Sequence, residues 1–128
     1  MAASRLVTGE ERLDPELGRR YAQALAGDEA SAGEISALVT AAGVAMGTPD
    51  PLGTLKAAMA GDARVMGGAR RLAYLWYAGT MLAPAGAPPS TFLSEDAYFG
   101  ALMWRCVGAH PPGLSGGYFG HWRYPPDV

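Results

Sequence analysis

Asparagine is absent from the 128 residues, and lysine, isoleucine and cysteine occur once each, as Lys56, Ile35 and Cys106. A single cysteine excludes an internal disulfide, and with it any zinc or iron–sulfur site built from the cysteines of one chain. Histidine is nearly as scarce: His110 and His121 stand apart with no third ligand beside them, a poor metal signature. Ten Lys+Arg against twelve Asp+Glu leave a formal charge of -2, with no run of like charge. Without a basic stripe, nucleic-acid binding through phosphate contacts is not expected. No glycine-rich turn leads from a strand into a helix: Gly67-Gly68 sits inside a helical pattern and suits close packing of a neighbour, while Gly116-Gly117 suits a turn. A phosphate loop is thereby excluded. The apolar run that follows Arg70-Arg71 falls short of the ~20 residues a membrane-spanning helix needs. Lying in mid-chain, that arginine pair is not read as a twin-arginine signal either.

What the chain does have is apolar surface, 49% of its residues against 17% charged, enough to bury a core. Met1 to Leu6 hold no apolar signal region and no cleavage site. Asp14-Pro15-Glu16 is a helix start, with Asp as N-cap and Pro in the first turn, and Leu17, Tyr21, Ala24 and Leu25 recur at helical spacing as far as Gly27. Ser31 and Glu34 have the spacing of a capping box, which predicts a second helix with Ile35, Leu38, Val39 and Ala42 as its apolar stripe. A short third helix is expected from about Leu52 to Ala60. Asp62 then caps what reads as the longest helix, Ala63 to about Leu82, with Val65, Ala69, Leu72, Trp76 and Thr80 along one face and Met66, Ala73 and Tyr77 beside it. Ser94 caps a last helix, with Tyr98, Leu102 and Cys106 on one line and Phe99 and Met103 on the next. That line predicts a buried, inert Cys106 thiol.

From Gly108 to Val128 the pattern changes. Five Gly and four Pro break any helix and oppose a central strand, yet Tyr118, Phe119, His121, Trp122 and Tyr124 crowd the same stretch. The fold class that follows is all-α: a small bundle of about four to five helices over residues 1–107, with a long Pro/Gly/aromatic-rich C-terminal coil tail over 108–128 that belongs to the same domain. Two readings of the tail stand side by side. It folds back over its own helices, or it lodges as an aromatic anchor in grooves of another chain, where Trp, Tyr and Arg are enriched. No catalytic constellation accompanies it, since Glu10/Glu11 and Glu95/Asp96 are carboxylate pairs of the kind found at solvated helix starts.

The segments Tyr98-Phe-Gly-Ala-Leu-Met-Trp104, Pro111-Pro112, Ser115-Gly-Gly-Tyr-Phe-Gly-His-Trp122 and Pro125-Pro126 resemble the C-terminal signature of a family. It is the small subunit of bacterial membrane-bound FAD-dependent sugar and polyol dehydrogenases (sorbitol, fructose and glucose). Tyr74-Leu-Trp-Tyr77 with Gly79 is similar to the family's preceding aromatic helix, and Ser4-Arg-Leu-Val-Thr-Gly9 with Leu13-Asp-Pro15 and Leu17 to its start just downstream of a signal peptide. The resemblance implies a non-catalytic accessory subunit that binds a large flavoprotein and supports its maturation, stability and export to the periplasm. FAD, with or without an iron–sulfur cluster, is then expected on the catalytic partner, and a cytochrome c subunit can complete the complex. No cofactor, metal, nucleic acid or direct membrane span is expected of this chain. Its partner-binding residues are expected to be Trp104, Pro111, Pro112, Gly116, Gly117, Tyr118, Phe119, Gly120, His121, Trp122, Tyr124, Pro125 and Pro126. Ser115 stands where members often carry a cysteine, so a cross-link to the partner there is not expected. The rival reading is a self-contained helical domain that takes a small apolar ligand between Trp76, Tyr77 and Met103. A third, an enzyme using Cys106, predicts a thiol that labels in the native state.

Overall fold

The computed structural model describes residues 1–83, 86–88 and 92–109, and the regular structure among these is helical, apart from one isolated antiparallel bridge between Thr80 and Phe92. The all-α class is borne out, but the described residues form seven helices rather than four or five: α1 Ala2–Thr8, α2 Pro15–Gly27, α3 Glu29–Met46, α4 Pro51–Gly61, α5 Ala63–Ala78, α6 Glu95–Phe99 and α7 Leu102–Cys106. The expected tail lies outside the described residues beyond Ala109.

The caps explain most of the boundaries. The Asp14 carboxylate accepts the Glu16 and Leu17 amides at 2.8 and 3.4 Å, and Pro15 opens α2. Asp50 accepts the Gly53 amide ahead of α4, and Ser94 accepts the Ala97 amide ahead of α6. Asp62 accepts the Arg64 amide at 2.8 Å, and that hydrogen bond, with the Arg64 side chain beside it, holds the Asp62 carboxyl below its ordinary pKa.

Four expectations need correction. The capping box at Ser31 does not form: Asp28 is the N-cap of α3, and Ser31, fully buried in the first turn, donates its hydroxyl back to the Asp28 carboxylate. Val39 is 57% exposed, because α3 buries Leu38, Ala42 and Ala45 and turns Val39 to the side. The helix begun at Ala63 stops at Ala78, leaving α3 the longer of the two, since Gly79 adopts φ 74° and its amide closes on the Leu75 carbonyl. Thr80 and Leu82 therefore lie beyond the helix. The last helix is two, broken at Gly100, where the chain passes tightly between the Asp96 carbonyl and Leu17 of α2. Leu102, at the start of α7, is buried, whereas Cys106, the last residue of that five-residue helix, is exposed and not buried as expected.

The core gathers around α3 and α5, the pair with the most extensive contact. Their axes come close because Gly68 presents no side chain: a Cβ there would lie 2.4 Å from the Glu34 carbonyl oxygen and 2.9 Å from the Leu38 Cβ. Beside this seam Arg71 reaches Glu34 across the two helices at 2.5 Å. Helices α1, α2 and α4 flank α3, and α6 and α7 rest on the far part of α5. At the centre Trp76 and Tyr21 meet edge-on, ring centroids 4.9 Å apart, both sealed from solvent. Neither the Tyr21 hydroxyl nor the Trp76 indole nitrogen has a hydrogen-bond partner among the described residues. Burial, with the Asp14 charge second, pushes the Tyr21 phenol up to about 12.

Candidate docking surface

The residues singled out for partner binding fall on the C-terminal segment, and the structure shows what it springs from. Gly79 ends α5 in a left-handed turn so close to α6 that a Cβ would lie 2.6 Å from the Ala97 carbonyl oxygen. Its own carbonyl accepts the Leu93 amide at 2.9 Å, and the Thr80–Phe92 bridge lies next to it. The returning chain is thus fastened to the end of α5, which fixes where α6 begins.

On that base three aromatic rings assemble around Tyr98. Phe92, Phe99 and Trp104 each meet it edge-on, with centroids 4.6, 5.1 and 5.5 Å away. Edge-to-face contacts of this kind hold rings in fixed orientation. Trp104 is half-buried and donates its indole N–H to the Tyr98 carbonyl at 2.8 Å, so its polar edge is used inside the chain while part of its apolar face remains open. Phe92, a member of the cluster, is 45% exposed, and the nearby chain segments leave Leu93 and Val107 exposed as well. The backbone then leaves α7 through Gly108, at φ 65°, with the Ala109 amide closing on the Trp104 carbonyl.

Of the expected interface, Trp104 is the residue whose place is seen. Pro111, Pro112, Gly116, Gly117, Tyr118, Phe119, Gly120, His121, Trp122, Tyr124, Pro125 and Pro126 lie outside the described residues. Phe92 and Leu93 were not among the expected interface residues. The signal that could have found them is an apolar pair directly ahead of the Ser94 cap, the position from which a side chain staples onto the helix that follows.

The apolar-ligand reading named Trp76, Tyr77 and Met103, and the first two turn to different neighbours. Trp76 is sealed against Tyr21, whereas Tyr77 turns toward α1 and donates its hydroxyl to the Thr8 carbonyl at 3.0 Å. Next to Trp76, a cleft of about 480 Å³ opens between α2 and the α6–α7 pair. Its charged lining tests whether a flavin dinucleotide would be at home in this chain. Arg12 and Arg105 are opposed there by Asp14 and Asp96, and Arg105 is already paired with Glu10 at 3.2 Å. A pyrophosphate needs converging donors rather than carboxylates. The residues of this cleft do not fit FAD. Among the described residues no three His, Cys, Asp or Glu group where they could hold a metal ion, and no helix is long and apolar enough to cross a membrane.

Compared with known proteins, residues 1–126 match the family model described as membrane bound FAD containing D-sorbitol dehydrogenase. No curated protein and no solved structure matches the chain. A match over nearly the whole length establishes the family, and the chain belongs to it.

Proposed function

From that membership we propose that the chain is a non-catalytic small subunit, which binds the large FAD-bearing dehydrogenase and supports its maturation, stability and export to the periplasm. The observation that carries this reading is the extent of the family match, which takes in the helical body and nearly all of the aromatic C-terminal segment. The exposed apolar area at Phe92, Leu93, Trp104 and Val107 supports it, because exposed aromatic area on a fixed base is the composition of an interface. The lining of the Trp76 cleft supports placing FAD on the partner. Oxidation of a sugar or polyol then takes place in the flavoprotein, with or without a cytochrome c subunit to accept the electrons. This chain's residues contribute binding area and positioning, and the complex reaches the membrane through its other members.

Copurification tests the reading. The tagged chain, expressed with its flavoprotein, is expected to return a yellow eluate with the two proteins near one to one. A colourless eluate holding this chain alone would refute it. Within the complex, Trp122→Ala is expected to weaken binding by roughly 2 kcal/mol, about thirtyfold in the dissociation constant. An unchanged constant removes Trp122 from the anchor role.

A further inference from the structure

Away from the aromatic surface, an open groove of about 250 Å³ runs between α1, α4 and α5. Two helical rows of equal length face each other across it. Leu52, Lys56 and Met59 come from α4, and Met66, Arg70 and Ala73 from α5. Each row spans about two turns, roughly 10 Å. Leu6 and Val7 of α1 complete an otherwise apolar lining. Leu52 and Met66 stand 46% and 38% exposed, so apolar rim is left in water.

The charged side chains lining this groove are both cations, Lys56 and Arg70, and the nearest carboxylates in the chain, Asp50 and Asp62, serve as the N-caps of α4 and α5. Helices α1, α4 and α5 carry Arg5, Lys56, Arg64, Arg70 and Arg71 and not one carboxylate. Arg64 pairs with the capping Asp62 and Arg71 with Glu34 of α3. Lys56 and Arg70, the two cations that line the groove, make no ion pair among the described residues. An apolar channel flanked by two unpaired cations selects an occupant that is apolar along one side and anionic beside it. Two methionines in the walls suit it to a peptide side-chain pattern, because thioethers repack around varied shapes. The groove is open along its length, so a segment carried on a large body can enter it sideways, as helices enter the grooves of their receptors.

We propose that the groove receives an acidic amphipathic segment of the flavoprotein, about two helical turns long, whose apolar side chains settle between Leu52 and Met66 while its carboxylates meet Lys56 and Arg70. The inference rests on the subunit reading above and adds a second point of attachment, distinct from the aromatic surface.

The test is the affinity of the purified chain for the flavoprotein at low and high salt, measured for the wild type, the charge reversal Lys56→Glu/Arg70→Glu and the charge-conserving Lys56→Arg/Arg70→Lys. Neither side chain is part of the core, and thermal melting checks that each variant is folded. The reversal is expected to weaken binding about tenfold or more at low salt and to remove much of the salt dependence, whereas the conserving variant binds as the wild type does. Oxidative footprinting is expected to show Met59 and Met66 protected in the complex. A reversal that binds within about twofold of the wild type, with Met66 still oxidised, overturns the proposal while leaving the subunit reading in place. A wild-type chain that fails to bind the flavoprotein overturns both. If the reversal instead abolishes binding to phosphatidylglycerol vesicles and leaves the complex untouched, the groove faces an anionic membrane surface and the proposal is wrong.

Discussion

Among the described glycines, Gly68 of α5 lies tightest against the backbone of another helix, α3, and gives a sharp quantitative test. An alanine Cβ there would lie 2.4 Å from the Glu34 carbonyl oxygen. Carbon–oxygen contacts settle at about 3.3 Å or more, so the two backbones must part by about 1 Å. Movement of that kind cannot be absorbed by a flexible side chain, because the obstacle is the α3 backbone and the next obstacle is the Cβ of the fully buried Leu38. Overpacking of a core typically costs about 1–3 kcal/mol, and alanine's helix preference over glycine returns up to about 1 kcal/mol. Gly68→Ala should therefore destabilise the chain by up to about 2 kcal/mol net. The matched control is Gly43→Ala in α3, where a Cβ meets nothing within 4 Å. It keeps the propensity gain without the clash and should stabilise by about 0.5–1 kcal/mol. Urea unfolding of the two variants beside the wild type, with m-values compared, measures both. If Gly68→Ala proves as stable as Gly43→Ala, the α3–α5 seam is not as close as described and the argument fails.

Tyr21→Phe keeps the edge-on ring contact with Trp76 and removes a buried hydroxyl that has no partner among the described residues, so it should stabilise by about 1 kcal/mol at neutral pH. Because burial raises the folded-state phenol to about 12 against 10 for the ordinary group, its stabilising contribution is complete below pH 10 and is lost as pH rises through about 12. The wild type should lose about 2–3 kcal/mol across that window and Tyr21→Phe should not, and parallel alkaline melts would refute this. Asp14→Ala removes the acceptor for the Glu16 and Leu17 amides and should cost about 1 kcal/mol in urea unfolding, whereas Asp14→Asn should recover most of it.

Local signals carried the parts of the fold that depend on neighbours in the chain. Asp14-Pro15, Asp62 and Ser94 were readable as caps because a carboxylate or hydroxyl ahead of an apolar period has little else to do. Gly67-Gly68 was readable as a packing site for the same reason, two glycines being costly inside a helix unless something fills the space. Ser31 went wrong by competition: its spacing to Glu34 fits a capping box, but Asp28 three residues earlier takes the cap and draws the serine hydroxyl into the first turn. Helix α1 went unread because seven residues carry too little periodicity, and it is held by packing against α3 and α5. The run from Leu72 to Ala83 looked continuous because apolar periodicity does not register the one residue, Gly79, that adopts a left-handed turn. Cys106 shares the spacing of Leu102 but stands at the last position of α7, where the helix ends and the side chain is left exposed.

The docking surfaces were harder to read, for a reason that lies in how charge and apolar area are summed. A formal charge of -2 describes a nearly neutral protein, and composition goes no further. Folding pairs several of the charges, Arg19 and Arg20 of α2 with Glu16 and Asp96 and Arg71 of α5 with Glu34 of α3, and leaves Lys56 and Arg70 without an ion pair among the described residues. Lys56 and Arg70 stand fourteen residues apart on different helices, so no window of sequence brings them to one groove. The apolar residues between which they stand are ordinary helix-face residues, and what sets them apart is that folding leaves Leu52 and Met66 uncovered. A surface that serves a partner is one the chain does not use for itself. Its signature is therefore what remains unpaired once the core and the ion pairs are assigned, which only the folded arrangement reveals.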